Sequence, residues 1–165
     1  MKFCSNCVIP ETAETHSFSK DGTCSVCNQI KIKQDKIDWK KREEKFNELL
    51  KNYRGKGKYD CIVPFSGGKD SVFALWYVTK KLNLKPLVVR FNHLFMRDIV
   101  ERNTDKSIKK LGVDFIDFKP NSKIVKKMMI ETLIRRGDFC WHCHTGVASF
   151  PIRVAIEPPN LLTLY

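Results

Sequence analysis

Residues 59–82 pass from a short apolar run, through Ser66-Gly67-Gly68-Lys69-Asp70-Ser71, into a second apolar stretch. No other passage restricts the fold as much. Residues 59–65 read as a buried parallel strand, and 72–82 as a helix apolar on nearly every side. A strand, a glycine pair and a helix start in series make an anion site. The glycines let the backbone turn tightly, and the helix start presents free N–H groups and partial positive charge. Lys69 adds a full charge, and Ser66 and Ser71 add hydroxyls.

The alternation continues. Residues 86–92 read as strand, 97–111 as helix closed by Gly112, 113–118 as strand, and 122–136 as helix closed by Gly137. Three strand–helix units imply an α/β fold with a parallel sheet and right-handed crossovers. Ligands in such sheets bind beyond the carboxyl ends of the strands. The glycine loop, Asn92-His93 and Lys119-Pro120-Asn121 are therefore expected on one edge. Cys61, mid-strand, reads as a small core residue, and Met128 and Met129 lie at helical core spacing.

Ahead of this domain stand Cys4-x-x-Cys7 and Cys24-x-x-Cys27, the spacing of a four-thiolate zinc site. Two knuckles presenting four sulfurs to Zn²⁺ would largely fold a segment too short for its own core. The reading is a metal-binding module over 1–30, then a linker and packing helix over 31–57, then the main domain from 58 to 165. Residues 30–38 read as a lysine-rich linker. Asp38 reads as the cap of a helix with one face formed by Trp39, Phe46, Leu49, Leu50 and Tyr53, its Trp and Tyr in the core.

The third cysteine pair lies in Gly137-Asp138-Phe139-Cys140-Trp141-His142-Cys143-His144. Cys140 and Cys143 could hold a second metal with His142 or His144, bind an iron–sulfur cluster, form a redox pair, or simply turn the chain to bury Trp141. With six of seven cysteines in such pairs and no secretory leader at Met1, the chain reads as cytoplasmic. No apolar run is long enough for a membrane helix. The net charge of +12 attracts phosphates in general. Aromatics interleave with it too weakly to mark a nucleic-acid platform, and solvated helix faces account for it as well.

The 66–71 loop lacks the four-residue spacer of a Walker A motif. It resembles instead the SGGxDS loop of the PP-loop (N-type) ATP pyrophosphatases, whose fold is of the adenine nucleotide alpha hydrolase type. With Phe3-Cys4-x-x-Cys7-Val8-x-Pro10, Gly22-x-Cys24-x-x-Cys27, Ile37-Asp38-Trp39, Tyr59-Asp60-Cys61-Ile62 and the Cys140–His144 string, the chain resembles the N-acetyl sugar amidotransferases of surface-polysaccharide and flagellin-glycan biosynthesis. The resemblance implies that ATP adenylates the acetamido oxygen of an N-acetylated sugar or sugar nucleotide. Ammonia then displaces AMP and leaves an acetamidino group. The ammonia would come from glutaminase- and cyclase-like partner proteins. Ser66, Gly67, Gly68 and Ser71 would cradle pyrophosphate, Lys69 would neutralise developing charge, and Asp70 would hold Mg²⁺ or merely cap the helix. Asn92 and His93 would contact the nucleotide, although Asp-His is the family's usual pair there. Two alternatives stand beside this reading, a tRNA-thiolating PP-loop enzyme and a nucleotide-binding remnant without turnover. The second arises because the sequence leaves the family's pattern after Glu157, at Pro158-Pro159-Asn160, which reads as a C-terminal truncation.

Overall fold

The structure, a computed structural model, describes residues 1–12, 15–156 and the backbone of 162–163. The departure from the family's pattern after Glu157 lies outside the described residues, the backbone of 162–163 apart. The chain divides into two compact units, Met1–Glu48 and Leu49–Tyr165. This division falls inside helix α2 (Trp39–Lys51).

In the first unit two short antiparallel bridges, Phe3 with Pro10 and Phe18 with Cys24, shape the knuckles. Helix α1 (Ser25–Lys36) follows the second knuckle directly. The stretch expected as a linker is thus largely helical. Its Lys, Gln, Ile and Asp residues include no glycine or proline to interrupt the ladder. Asp38 caps α2 as expected, its Oδ1 accepting the Lys41 N–H at 3.0 Å. Trp39 is corrected from core to surface, being 57% exposed.

The second unit is built on a parallel sheet of order β3-β2-β1-β4. Its main strands are β1 (Cys61–Pro64), β2 (Pro86–Phe91) and β3 (Asp114–Phe118), and β4 (Leu162–Thr163) adds two residues beside β1. The register pairs Val63 with Val88 and Val88 with Phe115. Apolar residues on both faces bury the centre, and Cys61, Ile62, Val88 and Val89 are fully enclosed. Between strands run α3 (Lys69–Trp76), continued by a π-helical turn over Tyr77–Lys81, and α4 (Asp98–Leu111). After β3 come α5 (Ser122–Arg136) and α6 (Trp141–Ile156). Gly112 and Gly137 close α4 and α5 in the left-handed conformation, as the glycine positions foretold.

Helix α6 covers the face carrying Ile62, Leu87 and Val89 with Phe150 and Val154. Phe118 and Phe150 stack at 4.7 Å. A Cβ at Gly146 would lie 2.3 Å from the Phe91 ring, so this approach of helix to sheet requires glycine. Helix α3 is not apolar-buried on nearly every side as its composition suggested. Leu75 and Val78 face the core, while Phe73, Trp76 and Tyr77 are 62%, 39% and 41% exposed. A single helix packed on one side of a sheet has only one buried stripe.

Candidate functional site

β1, β2 and β3 lie side by side and parallel, so the loops after them share one edge of the sheet. The chain runs outward from β1 to β3 and then returns to place β4 on the other side of β1. The glycine loop therefore leaves the carboxyl end of β1 where the strand order reverses, the usual crevice for ligands in open α/β sheets.

Within the loop, the Ser66 and Ser71 hydroxyls lie 3.1 Å apart. Ser66 Oγ accepts the Gly68 N–H at 3.3 Å, and Ser71 Oγ donates to the Gly68 carbonyl at 3.0 Å. Among the described residues no side chain caps the start of α3, which leaves its first amides for an anion. Lys69 pairs with Asp70 at 3.0 Å, both side chains 90% exposed, a pairing too solvated to hold either group firmly. Gly67 adopts φ +77°, and a Cβ there would lie 2.6 Å from Thr104 Oγ1 and 2.8 Å from Val100 Cγ1. The loop is thus seated directly on α4.

Thr104 belongs to a buried polar network that sequence reasoning missed. Arg90, 4% exposed, donates through Nε and Nη2 to the Asp117 carboxylate at 2.8 and 2.7 Å. Nη2 also reaches Glu101 at 2.8 Å and Nη1 reaches Thr104 Oγ1 at 3.3 Å. Burial opposes ionisation of Asp117, but the hydrogen bonds and charge of Arg90 outweigh it and hold the carboxyl below its usual range. Asn92 joins the same group. Its Nδ2 donates to Asp117 at 3.3 Å, and its Oδ1 accepts the Leu94 N–H at 2.9 Å. Asn92 is therefore buried and committed within the protein, fixing the turn that carries His93, with Leu94 at φ +71°. One guanidinium ties the underside of the glycine loop to the turn after β2. The available signal was a charged residue inside the apolar run Pro86–Phe91.

His93 is half-buried, its ring stacked on Phe95 and its Nδ1 accepting the Phe95 N–H at 3.2 Å. Burial, then the nearby His142, push its pKa down. His142 meets the edge of Phe95, is 4% exposed and, among the described residues, has no hydrogen-bond partner at either ring nitrogen. Cys140 and Cys143 shape the first turn of α6, the Cys140 carbonyl accepting from the Cys143 and His144 amides. Burial and the charge of Cys140 push the Cys143 thiol up. Among the described residues, no third donor is gathered around this pair within reach of one ion.

The first unit does gather such a group. The four sulfurs of Cys4, Cys7, Cys24 and Cys27 all lie within 4.8 Å of one another. Cys4 and Cys27 are 3.9 Å apart, and Cys7 and Cys24 3.6 Å. A tetrahedron with Zn–S bonds of about 2.3 Å has edges of about 3.8 Å, so the donor set fits zinc. The Asn6 amide donates to Cys4 Sγ at 3.4 Å and the Cys24 amide at 3.3 Å, lowering its pKa to about 6. The Ile9 amide pulls Cys7 the same way, yet the neighbouring thiols, Cys27 foremost, and burial push it up to about 12. Four thiols crowded this closely cannot all ionise without a cation.

Fold and sites together define an α/β protein with a parallel sheet, a glycine loop at its switch point, and a separate cluster of four cysteines able to hold a metal. No family model matches the sequence. An uncharacterized protein of Methanocaldococcus jannaschii is 31% identical over 115 residues, which is 68% of this chain and 41% of that protein. The chain thus spans about two fifths of that relative's length. Among the described residues, no helix is long and apolar enough to cross a membrane.

Proposed function

We propose that the second unit binds ATP and adenylates the acetamido oxygen of an N-acetylated sugar, so that ammonia can replace it and leave an acetamidino group. The observation that carries this is the glycine loop, open at the switch point, with paired serine hydroxyls and an uncapped helix start. An amide oxygen is a poor leaving group; when it attacks the α-phosphorus of ATP, pyrophosphate leaves, and the adenylylated oxygen can then depart as AMP when ammonia adds to the carbon. The protein's contribution is to position the reactants and stabilise charge on the departing pyrophosphate. Ser66, Gly68, Ser71 and the first amides of α3 would hold its oxygens. Lys69, drawn away from Asp70, would neutralise it, and Asp70 would then be free for Mg²⁺, which supplies charge neutralisation at the phosphates. His93, its pKa lowered by burial and by the nearby His142, would stand beside the nucleotide. Zn²⁺ at Cys4, Cys7, Cys24 and Cys27 would fold the first unit, and the ammonia would be delivered by glutaminase- and cyclase-like partners. The Cys140–Cys143 turn, whose His142 meets Phe95 in the loop after β2, makes a thiolating enzyme acting on tRNA the second reading.

The test is release of AMP and pyrophosphate from Mg-ATP with ammonia and a panel of acetamido sugars, with tRNA and a sulfur donor in parallel. Sugar-dependent release supports the first reading. Release only with tRNA replaces it with the second, and no release with either removes both.

A further inference from the structure

Beside the glycine loop, a groove of about 890 Å³ runs between α3 and α4. Its walls are Val72, Phe73, Trp76 and Leu111, with Lys69, Lys80 and Lys110 on its rim and no acidic residue among them. A smaller hollow, containing Gly67 and Lys106, shares Lys69, Val72 and Ser107 with it and so joins it to the loop. A contiguous exposed apolar patch of this kind marks a surface for a ligand or partner.

The chemistry of this groove is specific. Phe73 is the most open of three neighbouring rings, with Trp76 at 5.8 Å and Tyr77 at 6.2 Å, tilted by 33° and 35°. Trp76 already carries the Lys81 ammonium 5.7 Å from its ring centroid. Adjacent lysines would suit phosphate oxygens, and an open ring face would suit a planar base. An aliphatic partner would leave the lysines without counter-charges, and an acidic peptide would leave the rings without planar partners. The π-helical turn contributes to this arrangement. The Leu82 N–H donates to the Tyr77 carbonyl at 3.0 Å, and Val78 remains in the core while Trp76 and Tyr77 stay outside.

We infer that the α3–α4 groove, which meets the ATP loop at Lys69, is a second nucleoside diphosphate site beside that loop, with the base on Phe73 and the diphosphate between Lys80 and Lys110. It rests on the adenylation reading only in giving the acceptor substrate a nucleotide handle.

The experiment is calorimetric titration of the full chain with UDP and with ADP, alone and with saturating Mg-ATP, with circular dichroism melts of every variant. Saturable UDP binding that persists in Mg-ATP is expected. Phe73→Ala should weaken it by about tenfold, the scale of one lost base stack, and Lys110→Glu should weaken it with unchanged melting. Asp70→Ala should reduce affinity for Mg-ATP while leaving UDP affinity unchanged. UDP binding with no ATP binding would keep the groove and remove the adenylation reading. Absent UDP binding, UDP binding abolished by Mg-ATP, or binding indifferent to both Phe73→Ala and Lys110→Glu would overturn the inference. So would a short oligouridylate binding far more tightly than UDP, which would make the groove a strand-binding surface.

Discussion

Gly67→Ala tests how the glycine loop is built. Two costs act at this position. At φ +77° an alanine pays about 1–2 kcal/mol for the left-handed backbone. Its Cβ would also stand 2.6 Å from Thr104 Oγ1 and 2.8 Å from Val100 Cγ1, and overpacking of that kind costs about 1–3 kcal/mol. The sum, about 2–5 kcal/mol, corresponds to a fall in Tm of about 8–20 °C for a unit of this size. Gly55→Ala is the matched control, because Gly55 has φ +71° and, among the described residues, nothing within 4 Å of a Cβ. It carries the backbone cost alone and should lower Tm by about 4–8 °C at most. Thermal melts followed by circular dichroism, with pyrophosphate affinity measured below the transition, separate the two. If Gly67→Ala melts together with Gly55→Ala and binds pyrophosphate normally, the loop does not rest on α4 and the reasoning fails.

Further outcomes follow from the same geometry. Arg90→Met leaves Asp117 and Glu101 without their shared cation and should cost about 3–5 kcal/mol in denaturant unfolding. Because Arg90 holds the Asp117 pKa down, its stabilisation is present above the unfolded value near about 4 and is lost as pH falls through the folded one. The variant should therefore show a shallower loss of stability below about pH 4, and an unchanged acid slope would contradict this. His142→Phe removes a buried imidazole with no hydrogen-bond partner among the described residues, and should raise stability by about 1–3 kcal/mol. A clear fall in Tm would mean the ring is bonded in solution. Elemental analysis of the purified chain should find one zinc, lost in Cys4→Ser and retained in Cys143→Ser. Retention in Cys4→Ser would refute the four-sulfur site.

The strands and helices of the second unit were legible because periodicity and two terminating glycines marked them. Gly112 and Gly137 sit where a left-handed cap was required. The four-sulfur cluster was legible from spacing alone, since two short knuckles leave few other ways to place the sulfurs. What stayed hidden was long-range. Nothing in the run Pro86–Phe91 tells that Arg90 meets Asp117 and Glu101, because the pairing comes from neighbouring strands and a helix. Asn92 read as a ligand contact for the same reason, its partners lying up to 25 residues away. The exposure of Phe73 and Trp76 was equally hidden. Composition told that α3 was apolar, but not that the sheet buries only one of its stripes.

Activation of an acetamido oxygen by ATP is the proposed reaction. It is tested most directly by supplying an acceptor sugar labelled with ¹⁸O in its acetamido group, together with Mg-ATP and ammonia, and analysing the products by mass spectrometry. The label is expected in AMP, with pyrophosphate released unlabelled. AMP free of label, or ADP and phosphate as the products, would contradict it.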